Sequence, residues 1–294
     1  MKKVSNGMKT RRIITNAFIY LILAIVSVLW LFPFFYIIIQ SVRGDSTGIS
    51  LSMFPSLDNP NAYTFQNYVL LLTDTSNNAN FLRWYFNTLI IAIVTAAAQT
   101  ILVLMTSYTL SRLRFKGRKA LMKLILIIGM FPGFLSMIAI YKILQAIGLQ
   151  TSVFGLILVY ISGSASGYYI SKGFFDTISK SLDEAAMIDG ASKKTIFWKI
   201  IIPLAKPIVV YTILTSFIGP WGDFMLANYI VGGSASEYYT VAVGLQKWLT
   251  PSNSALFFTR FCAGAVFVSI PIVILFFILQ RYYVEGVTGG AVKG

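Results

Sequence analysis

The sequence predicts an all-α integral membrane protein with six transmembrane helices, on three observations. The chain of 294 residues is 56% hydrophobic and only 12% charged, with a mean hydropathy of +0.74, so it holds more apolar surface than a soluble domain can bury. Six apolar runs approach the roughly 20 residues that a helix needs to cross about 30 Å of hydrocarbon. The cations lie in the connections between those runs, on alternate sides.

The first run, residues 13–40, follows a basic start with Lys2, Lys3, Lys9, Arg11 and Arg12. It is too long for a signal peptide and lacks a small-residue cleavage site, so it reads as a retained helix. Residues 41–84 form a polar loop rich in Gly, Pro, Asn and Ser that is expected to cap the outer face. Within it, FQNYVLLL after Thr64 has the pattern of a short interfacial helix.

The later runs cover residues 85–110, 120–144, 151–170, 204–221 and 261–280. The third contains GMFPG, where Gly129, Pro132 and Gly133 weaken the helix and form a candidate hinge beside a pathway. The fifth ends in IGPWGDF, in which Gly219, Pro220 and Gly222 surround Trp221 and precede Asp223. Broken helices line cavities, and a carboxylate at membrane depth needs a partner, water or a use. An Asp capping an interfacial turn satisfies the same pattern. The second outer loop, 231–260, carries Tyr238, Tyr239 and Trp248, residue types that anchor to headgroups or reach toward a ligand.

A net charge of +14 raises the question of nucleic acid, but the placement of the cations answers to topology instead. The N-terminal group, the group from Arg112 to Lys123 and the group Lys172, Lys180, Lys193, Lys194, Lys199 and Lys206 fall on one side. That side is expected to be cytoplasmic, with both termini on it. The opposite loops hold only Arg43, Arg83, Lys142, Lys247 and Arg260 among Asp45, Asp58, Asp74 and Glu237.

Cys262 is the only cysteine, so no intramolecular disulfide can form, and histidine is absent. The sequence has no G-x-x-x-x-G-K-[ST] phosphate loop and no acid–base constellation. Neither an enzyme nor a bound cofactor or metal is therefore expected. The whole of 1–294 reads as a single transmembrane domain.

Residues 181–203, SLDEAAMIDGASKKTIFWKIIIP, form a charged amphipathic island between the fourth and fifth runs. Ser181 and Glu184 have capping-box spacing, and Asp183 sits where it favours the positive end of a helix dipole. Gly190 is placed to end that helix with positive φ. Ser192 then caps a second helix, and Pro203 marks re-entry into the membrane. Ala185 and Ala186 permit close approach of a partner, with Met187, Ile188, Ile196 and Phe197 as apolar contact. An interfacial helix resting on lipid fits the spacing as well.

Glu184-Ala185-Ala186, three residues, Gly190, nine residues, Ile200, then Ile202 and Pro203 resemble the EAA signature of membrane subunits of ATP-binding-cassette importers. The stretches TSYTLSRLRFKGRK, KGFFDTISKSLDEAAMIDGAS and RYYVEGVTGGAVKG extend the resemblance to the carbohydrate-uptake subfamily. YYTVAVGLQKWLTPSN resembles the smaller membrane subunit of maltose/maltodextrin-type transporters. Ile202 stands where leucine is usual, a swap of similar volume.

The resemblance implies a type I importer fold and a coupling helix carried by Glu184, Ala185, Ala186, Ile188, Asp189, Gly190, Ile200 and Pro203. It implies a heterodimer with a second permease, an ATPase dimer that holds the ATP and Mg, and an extracytoplasmic sugar-binding protein. Asn87 resembles a polar position of the family, with a simple helix-end contact as the other reading; together with Pro132, Gly133, Trp221 and Asp223 from the interrupted helices it makes up the pathway candidates. The resemblance also implies a bacterial or archaeal inner membrane, and it offers the tail residues Gly289, Gly290 and Lys293 as a second ATPase contact. The expected cargo is maltose or maltodextrin, with the sugar site mainly in the partner permease. Alternatives are another solute, such as a galacto-oligosaccharide or glycerol phosphate, or an ATP-independent channel or carrier.

Overall fold

The structure is a computed structural model that describes residues 6–56, 58–76, 79–131 and 133–291. Among these it contains helices and turns but no strand, apart from an isolated bridge between Arg43 and Tyr63. The helices are α1 (Asn6–Ser41), α2 (Gln66–Thr73), α3 (Phe81–Arg112), α4 (Arg118–Met130), α5 (Gly133–Ala146), α6 (Val153–Ser162) and α7 (Ala165–Thr177). They continue as α8 (Ser181–Ile188), α9 (Lys193–Thr195), α10 (Ile202–Leu204), α11 (Lys206–Gly222), α12 (Met225–Val231), α13 (Val241–Trp248) and α14 (Ser254–Ala291).

Four stretches are long and apolar enough to cross a membrane: Arg11–Ser41, Phe81–Arg112, Val153–Thr177 and Ser254–Gln280. Two bent pairs bring the total to six when each pair is one span. The six-span reading holds in that form, with a correction to the third span. Residues 120–144 are not one straight helix, because α4 and α5 meet at 103° around Phe131. Phe131 is extended, the conformation favoured before proline, and it ends α4. Pro132 itself lies outside the described residues.

The fifth span is α11, set at 85° to the Lys193–Leu204 segment that precedes it. The bend falls at Ala205, whose amide keeps the helical bond to Ile201 O while its backbone leaves helical geometry at φ −96° and ψ 19°. At 17 residues and about 1.5 Å per residue, α11 reaches most of the way across a hydrocarbon core. Along α1 the apolar side chains are exposed almost all round, Trp30 at 73%. In hydrocarbon such exposure carries no hydrophobic penalty.

The chain forms two compact units, one of Met1–Thr73 with Trp248–Phe267, the other of Asp74–Lys247 with Val268–Gly294. The first is organised by Arg43, which is almost fully buried. Its guanidinium pairs with Asp45 at 3.1 Å and donates to Gln40 Oε1 and Ser52 Oγ. Asn67 of α2 donates to the carbonyls of Ser41 and Arg43 and accepts from Thr259. The loop after α1 is thus a packed polar knot.

The second unit is built on α3, which packs along α6, α7 and α11. At the start of α3, Trp84 donates to the carbonyl of Ser236 at 2.8 Å, and Asn87 Nδ2 donates to those of Glu237 and Tyr239. These bonds tie down the 3₁₀ turn Ser236–Tyr238 between α12 and α13. Gly244 of α13 lies against the indole, where an added Cβ falls 2.0 Å from Trp84 Cε3. Neither the buried ring nor the helix can yield that distance cheaply. Gly244→Ala is expected to cost about 2 kcal/mol, read as a lower unfolding midpoint of the detergent-solubilised protein.

Candidate functional site

The polar island folds as helix, turn, helix. α8 spans Ser181–Ile188, and its first bond runs from the Glu184 amide to the carbonyl of Lys180. The capping box is therefore not formed: the helix begins one residue earlier than expected, and the Ser181 hydroxyl bonds that of Ser179. Asp183 and Glu184 do occupy the first turn, where their charge favours the dipole.

Gly190 has φ +81°, and its amide bonds Met187 O while that of Ala191 bonds Ala186 O. This pair of bonds is a Schellman motif, which needs a residue at ease in the left-handed region. Ser192 caps the next segment, accepting from the Thr195 amide at 3.2 Å. After α9 the backbone opens into a π-helical turn, Ile196–Ile201, before α10. Pro203 sits in α10 and the membrane helix starts after it, at Lys206.

The island has two faces. Ala186, Ile196, Phe197 and Ile201 are buried in a cluster with Leu104 and Tyr108 of α3, Phe175 of α7, and Ala205 and Ile208. Tyr108 meets Phe197 at 4.9 Å and Phe175 edge-on at 6.3 Å. Ile200 packs on the rim of that cluster. Glu184, Ala185, Met187, Ile188, Asp189 and Gly190 face outward, Ile188 at 87% exposure. Ala186, Ile196 and Phe197, expected as outer contact, are thus internal packing, while Trp198 is exposed.

Arg112, the last residue of α3, holds the island in place. Its Nε lies 3.3 Å from Asp183 Oδ2, and its Nη2 donates to the carbonyls of Phe175 and Ile178. The neighbouring Ser111 donates to Asp176 at 2.6 Å. Burial pushes the Asp183 carboxyl above its usual range, and the Arg112 guanidinium pulls it back. Nothing in the local sequence pairs these two residues, since Arg112 reads only as one cation of the positive side.

A cavity of about 410 Å³ opens among α3, α5, α6 and α11. Three helix interruptions meet on its wall: Gly133 at the start of α5, Gly163 between α6 and α7, and Asp223 after α11. Asp223 Oδ1 accepts from the Leu226 amide and so caps α12, while Oδ2 accepts from the Tyr160 hydroxyl at 2.9 Å. It is both a turn cap and a cavity group. Gln99 donates to the carbonyl of Tyr160 and to Ser164 Oγ.

Gly133 and Asp223 line the cavity; Asn87 and Trp221 do not. Asn87 is spent on the loop after α12, and Trp221 packs edge-on to Tyr85 at 5.3 Å. At the C-terminal end, Gly289 and Gly290 lie within α14, which runs to Ala291 without a break. Lys293 lies outside the described residues.

Residues 104–289 match the family described as the binding-protein-dependent transport system inner membrane component. The chain belongs to this family. It is 38% identical to the galactooligosaccharides transport system permease GanQ of Bacillus subtilis over 98% of this chain and 99% of the relative. It is 35% identical to the maltodextrin transport system permease MalD of Streptococcus pneumoniae over 99% of this chain and 100% of the relative.

Among solved structures, a bacterial ABC transporter involved in import of the acidic polysaccharide alginate matches with a TM-score of 0.77 and 24% identity, covering 96% of this chain and 100% of that one. A second alginate transporter structure, in complex with a pentasaccharide-bound periplasmic protein, matches with a TM-score of 0.57 and 14% identity over 92% and 95% of the two chains. These likenesses bear out the importer-permease fold.

Removing the Arg112 guanidinium leaves Asp183 buried against the ends of α3 and α7, beside Glu184 and with only the weaker pull of Lys180. Arg112→Ala is expected to destabilise the docked island by about 3 kcal/mol. The measurement is limited trypsin cleavage at Lys193 and Lys194, which should speed up in the variant while overall helicity by circular dichroism stays unchanged.

Proposed function

We propose that this chain is the membrane-spanning permease subunit of an ATP-driven importer of oligosaccharides. It works as one half of a heterodimer with a second permease, above an ATPase dimer and below an extracytoplasmic sugar-binding protein. The family match supports the reliance on a binding protein, and the relatives named for sugars support the cargo class. Those relatives divide between galactooligosaccharides and maltodextrin, so the reading commits to a hexose oligosaccharide.

The observation that carries the proposal is the two-faced island. Its outer face presents Glu184, Ala185, Ile188, Asp189 and Gly190, and its inner face is locked to α3, α7 and α11 by Arg112 and the aromatic cluster. A helix tied in this way passes displacement to three spans at once. On this reading the island is the coupling helix, the side it lies on is cytoplasmic, and the ATPase seats on the outer face. ATP and the loaded binding protein drive alternating access by favouring one conformation over the other. The C-terminal end of α14, with Gly289 and Gly290, and Lys293 beyond it are the proposed second ATPase contact.

Gly190→Val puts a β-branched residue at φ +81°, a cost of about 1–2 kcal/mol where an added Cβ meets no neighbouring atom. The turn deforms while the spans do not. Sugar uptake in cells should fall at least tenfold with membrane insertion unchanged; uptake at the wild-type rate would defeat the coupling role. A cysteine at position 188 should crosslink to the ATPase subunit in the assembled complex, and its failure to capture any nucleotide hydrolase would defeat the importer reading.

A further inference from the structure

The cavity beside Asp223 has features that a sealed helix junction does not need. Its volume of about 410 Å³ lies within the range of about 300–1,000 Å³ typical of small-molecule sites. A second cavity of about 210 Å³ shares Gln99, Gly163, Thr215 and Ser216 with it, so open space with polar groups on its wall continues between α3 and α11. Thr95 is 1% exposed, lines the first cavity, and has a hydroxyl without a hydrogen-bond partner. A buried, unpaired hydroxyl costs free energy unless something enters to bond it.

The groups around that hydroxyl suit a polyol. Asp223 Oδ2 bonds the Tyr160 hydroxyl, and a carboxylate oxygen has lone pairs for a further donor. The Gln99 amide nitrogen is fixed by two bonds, which aligns its carbonyl oxygen, and that oxygen takes no hydrogen bond among the described residues. Ser136 and Ser216 add hydroxyls to the wall, and the Tyr160 ring offers an apolar face. Carboxylate, amide, hydroxyls and one aromatic ring match the alternating hydroxyl and C–H surface of a hexose. No cation lines the cavity.

From this geometry we propose that the chain itself supplies a sugar subsite, in which Asp223, Gln99 and Thr95 bond hydroxyls of a hexose unit in transit and Tyr160 packs against its ring. The inference rests on the importer reading and goes beyond the expectation that the sugar site lies mainly in the partner permease. The chain then selects cargo as well as coupling it to the motor.

The test uses the complete transporter in lipid vesicles, with radiolabelled maltotriose and galactotriose as probes. The variants are Thr95→Val, Gln99→Met and Asp223→Asn, the last of which keeps an acceptor for the Leu226 amide. Each should lower uptake of the transported sugar about fivefold or more at subsaturating concentration, the effect of one lost hydrogen bond to a partly desolvated polar group. ATP hydrolysis stimulated by the loaded binding protein should stay within twofold of wild type. Uptake within twofold of wild type in all three variants would overturn the subsite, as would a parallel loss of stimulated hydrolysis, which marks a packing role. A wild-type complex with no sugar-stimulated hydrolysis would instead defeat the importer reading, and the subsite with it.

Discussion

The buried pairing of Arg112 with Asp183 is the contact on which the polar island depends. An eight-residue helix such as α8 does not persist in water by its own hydrogen bonds. It is held because one guanidinium meets its carboxylate and two backbone carbonyls at the end of α7. The ring cluster of Tyr108, Phe175 and Phe197 fills the space behind. A single side chain thus joins the end of one span, the end of another and the segment between them. Removal of either charged partner is costly because the other is then left in a poorly solvated place.

The same economy of polar contacts shapes the membrane part. In hydrocarbon every freed amide or carbonyl has to find a partner, so helix breaks persist only beside protein or water. Here the breaks at Gly133, Gly163 and Asp223 gather on one wall. Asp223 repairs the end of α11 by capping α12 and still presents an oxygen to Tyr160. The weak points that the sequence shows around Gly133 and before Asp223 meet, with Gly163, at one cavity in space. In the other unit Arg43 has a comparable part, drawing Gln40, Asp45 and Ser52 around a buried guanidinium.

Much of the fold was legible in the sequence because hydrocarbon imposes a simple length rule. Five of the six apolar runs match helices within several residues, and the loop helix after Thr64 is present as α2. In the third span the two signals separate: the apolar content is continuous because hydropathy records transfer energy, while the 103° bend falls around Phe131, inside the GMFPG stretch that reads as a weakened helix. For Asn87 the resemblance offers a pathway and its position offers a helix-end contact; its amide is matched to two carbonyls of a distant loop, which no local pattern encodes.

Composition and order alone determined the membrane class, the spans, the amphipathic island with its glycine turn and Ser192 cap, and the family resemblance. Each is set by neighbours a few residues apart or by summed hydropathy. Only the tertiary structure decided which face of the island turns inward, that Arg112 holds Asp183, and that Thr95, Gln99, Tyr160 and Asp223 surround one cavity. Those are pairings between residues far apart along the chain. Their energy comes from shared burial, which no local pattern encodes.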